Sequence, residues 1–114
     1  MIINTKIFQT KDSRVAFMPW SFLSDTVKKD FSLVKYDKVF DGNVNTEENE
    51  IQPDCTHSIL DYLFCAFNVG GHRKDAGYTG HSLSVSDVVY INENYYYCDS
   101  IGWKQLDSFQ GVVA

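Results

Sequence analysis

Val88-Val89-Tyr90-Ile91, Asn92-Glu93-Asn94 and Tyr95-Tyr96-Tyr97-Cys98 form the stretch that decides the fold. β-branched and aromatic residues fill both flanks, and such side chains suit a pleated, half-buried surface. The middle is short and polar, with the asparagines that tolerate a tight turn. The reading is strand, turn, strand: an antiparallel hairpin. Gly102-Trp103-Lys104-Gln105-Leu106 supplies a last short strand. Successive side chains of a strand point to opposite faces. Either Tyr95 and Tyr97 or Tyr96 and Cys98 therefore face outward or against another element.

Upstream, Ile59, Leu60, Leu63, Phe64 and Phe67 make a broad apolar stripe at helical spacing. Pro53-Asp54-Cys55-Thr56 opens that helix, with Asp54 or Thr56 as its cap, and Asn68 and Gly70-Gly71 stop it. The expected helix spans about Thr56 to Phe67. At the N-terminus, Ile2, Ile3, Ile7 and Phe8 mark a strand that turns at Lys11-Asp12-Ser13 and pairs with Val15-Ala16-Phe17-Met18. Pro19 then opens a helix from about Trp20 to Lys29, with Trp20, Leu23 and Val27 on one face. Phe31 to Phe40 reads as a further extended segment, ended by the turn residues Asp41-Gly42-Asn43. Asn43 to Gln52 and Gly70 to Gly80 are polar loops. The expected fold class is α+β, a small and mostly antiparallel sheet with two helices in a single domain over residues 1–114.

Composition agrees with one domain. The 114 residues are 44% apolar and 22% charged, which is ordinary globular stock. A chain of this length buries roughly two-thirds of the surface it exposes when unfolded. Eight Phe, seven Tyr and two Trp favour sheets and contact surfaces. The formal net charge of −5 argues against general nucleic-acid binding, which needs clustered bases to displace counterions. It argues equally against an anionic membrane surface. No stretch approaches the ~18 apolar residues of a membrane span. Three cysteines without a C-x-x-C pair are no disulfide framework. The expected setting is cytoplasmic, with reduced thiols.

Several groups of residues invite a chemical reading. Cys55, His57, His72 and His81 are candidate zinc ligands, but their spacing fits no ligand pattern, and no metal is expected. Gly70-Gly71-His72-Arg73-Lys74 pairs glycines with bases without the spacing of a phosphate-binding P-loop. His81-Ser82-Leu83-Ser84-Val85-Ser86-Asp87 holds every member of a Ser/His/Asp set. Triad partners normally meet through the fold from distant positions, and no nucleophile elbow is present. Short polar residues ahead of a Val-Val run are better explained as a corner that satisfies backbone donors. Gly80, His81, Ser82, Ser84, Ser86 and Asp87 are therefore read as a structural motif, as are Asp99, Ser100 and Gly102. Glu47, Glu48 and Glu50 form an acidic run, and Tyr90, Tyr95, Tyr97 and Trp103 an aromatic cluster. Together these are the candidate binding residues, and protein contact suits an acidic chain better than nucleic acid.

Gly80-His-Ser-Leu-Ser-Val-Ser-Asp-Val-Val-Tyr-Ile91, followed by Tyr95-Tyr-Tyr-Cys-Asp-Ser-Ile-Gly-Trp103, resembles the YodL-like domain. Val39-Phe40-Asp41-Gly42 and the helix ending in Phe67-Asn68 stand ahead of it in the family's order, so the resemblance is strongest over residues 36–103. Cys98 departs from an often aliphatic position, and His72 to Asp75 replaces a shorter loop. The resemblance implies an origin among phages, conjugative elements and polyvalent mobile-element proteins, and it implies no catalytic residue and no cofactor. The expectation is a non-catalytic, acidic binding module that acts as an accessory or inhibitor protein. Its partner would be a host protein with a basic groove, such as a nucleic-acid-handling enzyme in the manner of anti-CRISPR proteins. Two alternatives stand beside it. One is a small hydrolase or phosphoryl-transfer enzyme using His81, Ser84 and Asp87. The other, implied by the resemblance, is an inhibitor of the bacterial cell-shape cytoskeleton.

Overall fold

A computed structural model of the chain describes residues 2–45, 59–61, 63–64, 67, 78–107 and 109. Its centre is a five-stranded sheet of β1 (Ile2–Gln9), β2 (Asp37–Asn45), β3 (Val88–Ile91), β4 (Asn94–Cys98) and β5 (Trp103–Leu106), in the order β2-β1-β3-β4-β5. Every neighbouring pair is antiparallel. The β3–β4 hairpin forms where the alternating flanks place it, with Val88 opposite Tyr97 and Ile91 opposite Asn94. Its turn residues Asn92 and Glu93 have φ of 51° and 66°. Positive φ at both central positions is the mirror-image turn whose twist matches the strands. Asp99 donates its N–H to the Gly102 carbonyl at 3.1 Å, and Gly102 at φ 73° lets the chain reverse into β5.

The sheet buries both faces. On one, Ile3, Ile7, Phe40, Val44, Val89, Ile91 and Tyr96 pack against Ile59, Leu60, Leu63 and Phe67. Residues 59–61 and 63–64 are α-helical and form α2, and the Phe67 N–H donates to the Leu63 carbonyl at 3.0 Å. The other face carries Phe8, Val88, Tyr97 and Leu106 under Val15, Leu23, Val27, Phe31, Val34, Tyr36 and Phe109. Each such side chain stabilises the fold by roughly 1.5–3 kcal/mol. α1 (Asp25–Lys29) contributes Val27 to this second core. It begins at Ser24, whose hydroxyl accepts from the Val27 N–H at 3.2 Å. The helix dipole is matched by Asp25 in its first turn and by Lys28 and Lys29 in its last.

The α+β class and its antiparallel sheet are as expected; the N-terminal details differ. β1 does not pair with Val15 to Met18, because β2 and β3 occupy both its edges. Those residues instead fold into a turn, with the Ala16 N–H on the Asp12 carbonyl at 2.8 Å. The expected helix from Trp20 splits into a 3-10 turn at Trp20–Phe22 and α1, because Ser24 starts a new helix. Phe31–Leu33 is a 3-10 turn rather than strand. Asp41-Gly42-Asn43 does not end β2; the strand runs through it to Asn45, paired along β1. A register shift between Ile7 and Phe8 leaves Val39 as the extra residue. Val39 and Phe40 therefore both reach the α2-side core.

A non-glycine residue in the left-handed region costs on the order of 1–2 kcal/mol. Glu93→Gly should therefore raise stability by about 0.5–1 kcal/mol after the added chain entropy. Thermal unfolding monitored by circular dichroism checks this, and an unchanged or lower Tm would contradict the turn.

Candidate functional site

Gln9 closes β1 and is buried, at 5% exposure. Its side chain crosses to the segment that leads into β3. The crossing explains Gly80: a Cβ there would stand 2.0 Å from Gln9 Oε1 and 2.8 Å from Val39 Cγ1. The His81 N–H donates to Gln9 Oε1 at 3.1 Å, and this orients the amide. Its Nε2 then faces Asp87 Oδ2 at 2.9 Å, the His81 carbonyl at 2.8 Å, Tyr78 Oη at 2.9 Å and His81 Nδ1 at 3.2 Å. An amide nitrogen has only two protons, so the three oxygens share them, while His81 Nδ1, 2.7 Å from the Ser82 carbonyl, itself carries a proton toward that oxygen.

Asp87 is the buried charge of this corner, at 1% exposure. Its Oδ2 accepts from the Ser84 N–H at 2.8 Å as well as from Gln9. Its Oδ1 is buried and meets no donor among the described residues. Burial pushes the Asp87 carboxyl up to about 7, and the bonds from Ser84 and Gln9 only partly offset it. Beside it, Ser86 stands in the left-handed region at φ 85°. The Ser86 N–H donates to the Cys98 carbonyl at 2.9 Å. Its carbonyl accepts from Tyr36 Oη at 2.7 Å, and its hydroxyl oxygen accepts from the Phe17 N–H at 2.9 Å.

That last bond fixes Phe17 in turn. Phe17 has φ 62° and is 60% exposed. The following carbonyl, of Met18, accepts from Tyr97 Oη, and the Trp20 N–H donates to Asp99 Oδ1 at 3.1 Å. The turn is thus pinned along its length while an apolar ring points out of it. The ring lies 5.1 Å from the His81 ring, centroid to centroid. Phe17, Ala16, Val39, Gln9, Gly80 and His81 line a cleft of about 560 Å³, with Lys11 and Lys38 beside it. Apolar walls with a few convergent polar groups describe a binding site.

The hydroxyl of Ser84 donates to the Ser82 carbonyl at 2.8 Å, and His81 Nδ1 lies 2.7 Å from that same carbonyl. The His81 backbone, not its ring, reaches Asp87 through the Gln9 amide. Asp99 Oδ1 also accepts from the Ser100 N–H at 2.8 Å. The Cys98 thiol is pushed up to about 12 by burial, which makes it a poor nucleophile.

The aromatic cluster is placed differently from the sequence reading. Tyr97 is fully buried, packed against the segment from Asp12 to Val34 that covers its face of the sheet. Tyr90 and Tyr95 are half-buried and pack 5.0 Å apart, with Lys6 Nζ 5.2 Å over the Tyr90 ring. Trp103 packs against the α2-side core, and its indole N–H donates to Asp61 Oδ1 at 3.2 Å. Glu47, Glu48, Glu50, Cys55, His57 and His72 lie outside the described residues. Among the described residues, no group of three or more His, Cys, Asp or Glu is placed to hold a metal ion, and no helix is long and apolar enough to cross a membrane. Gln9, Tyr78 and Phe17 meet at the corner and were not singled out in the sequence, where Gln9 and Tyr78 carry no local pattern and Phe17 reads as part of a strand.

The family model of the YodL-like domain matches residues 4–109, and the chain belongs to that family. None of the curated proteins and none of the solved structures matches it.

The buried carboxyl sets a pH dependence. Its folded pKa of about 7 lies above the ordinary 3.8, so the folded state holds this proton where the unfolded state has lost it. Its contribution is fully present below about pH 4 and is lost as pH rises to about 7, a change on the order of 4 kcal/mol. Asp12 and Asp41, held low by Arg14 and Lys38, act in the opposite sense but are largely exposed. Urea unfolding from pH 4.5 to about 7.5 should show stability falling with pH, and Asp87→Asn should flatten the slope. A wild-type profile that rises over that window would contradict the burial of Asp87.

Proposed function

We propose that this member of the YodL-like domain family is a non-catalytic protein-binding module that presents Phe17 and the adjoining His81 cleft to its partner. One observation carries the reading. A phenylalanine is held at positive φ, with its neighbouring backbone groups tied to Ser86 and Tyr97, and its ring stays in solvent. Backbone strain and an exposed apolar ring are both unfavourable for folding alone, and both concentrate where a loop has a job. A ring pre-set in its exposed position also loses little entropy on docking, as an interface anchor should.

The charge of −5 suits a partner with a basic groove, the surface that nucleic-acid-handling enzymes present. An accessory or inhibitor protein of a mobile element, acting on such a host enzyme, fits this charge and the mobile-element origin that the resemblance implies. A hydrolase or phosphoryl-transfer reading draws on the raised pKa of Asp87 near His81. It fits the geometry less well, since the Ser84 hydroxyl is committed to a carbonyl and Asp87 is enclosed.

Phe17→Gly separates a binding role from a packing role. Glycine accepts the left-handed backbone, so the Tm should stay within a few degrees of wild type or rise. Capture of host proteins on immobilised domain, read by mass spectrometry, should lose its specific partner, with affinity down roughly 30-fold or more. Phe22→Ala, which removes another exposed ring at 73%, should retain the partner. Undiminished capture by Phe17→Gly would defeat the proposal.

A further inference from the structure

An acidic chain nevertheless sets three lysines around one cavity. Lys28 and Lys29 end α1, Lys104 stands on β5, and with Trp20, Ser32 and Gln105 they line a space of about 210 Å³. The indole wall is firmly set. Trp20 meets Phe31 and Tyr97 edge-on, each at 5.1 Å between centroids. Lys104 Nζ lies 5.1 Å over the same indole. Among the described residues, none of the three lysines forms an ion pair.

Each lysine has an ordinary local explanation. Lys28 and Lys29 oppose the carbonyl end of α1, and a lysine on an edge strand discourages further strand pairing. Neither explains why the helix end and the edge strand converge on one cavity, where like charges repel. An anionic ligand does.

We propose that this cavity binds the phosphate group of a phosphate monoester. The lining holds three ammonium groups and one carboxylate, Asp107, a formal +2. A phosphate monoester carries about −1.5 to −2 near neutral pH, with three acceptor oxygens for these donors. Ser32 adds a neutral donor, and the indole offers a flat wall to the group esterified to the phosphate. A volume of about 210 Å³ is smaller than a site for a whole drug-sized ligand, which takes about 300 Å³ or more. It therefore fits a phosphate group and the first atoms behind it. The site does not depend on Phe17 acting as the anchor of a protein interface.

The test is a two-dimensional amide NMR titration of the whole chain with inorganic phosphate, at ionic strength held constant with sodium chloride. Saturable shifts are expected at the amides of Trp20, Ser32 and Lys104. Lys104→Gln should weaken binding about tenfold, from the loss of one charge-assisted donor. Lys104→Arg should keep most of it, and Lys6→Gln, whose ammonium lies over Tyr90 away from the cavity, should change nothing. A second arm titrates a short serine peptide with and without phosphate on the serine. Tighter binding of the phosphopeptide than of free phosphate places the monoester on a partner's side chain; equal binding places it on a small molecule. Shifts that chloride reproduces, or that Lys104→Gln leaves unchanged, overturn the site.

Discussion

Ser86 is the point at which separate segments of this chain are tied together. It is buried and left-handed, and its hydrogen bonds go to different places: its N–H to β4, its carbonyl to Tyr36 ahead of β2, its hydroxyl to the Phe17 turn. The next residue, Asp87, reaches back to Gln9 at the end of β1, and its carbonyl accepts from the Cys98 N–H at 2.8 Å. Buried polar groups of this kind cost free energy unless every one is paired. Pairing them fixes where the N-terminal segments lie against the sheet. The positions of Phe17 and the His81 cleft follow from this corner.

The corner also separates the two cores. The pleat sends Val89 and Ile91 toward α2, and Val88 toward Tyr36 and Phe31. A sheet covered on both faces has strands that read as continuous apolar runs. Tyr95 to Cys98 is such a run. That is why alternation alone located β4 but did not tell which tyrosines were free.

Much of the fold was legible because it is local. The β3–β4 turn follows from a polar tripeptide between β-forming flanks, and the α2 stripe from its spacing. The N-terminal half was less so, because its structure is decided at long range. Val15 to Met18 has strand composition, but both edges of β1, the strand it would join, are taken by β2 and β3. Trp20, Leu23 and Val27 share a spacing, but the cap at Ser24 divides them. The corner itself was legible as a corner, from its glycine and short polar residues. Gln9 was not, since its partners lie some seventy positions further along the chain. Phe17 could not be read as left-handed, because nothing about a phenylalanine signals positive φ.

The central claim is that the corner, and Ser86 above all, holds the Phe17 turn in its strained, ring-out form. Native-state hydrogen exchange at single amides tests this most directly. In wild type the Phe17 and Ser84 amides should both be protected, by the Ser86 hydroxyl and the Asp87 carboxylate. In Ser86→Ala the Phe17 amide should lose protection, while Ser84 keeps it. A Phe17 amide that exchanges freely in the wild-type protein, or one equally protected after Ser86→Ala, would contradict the account.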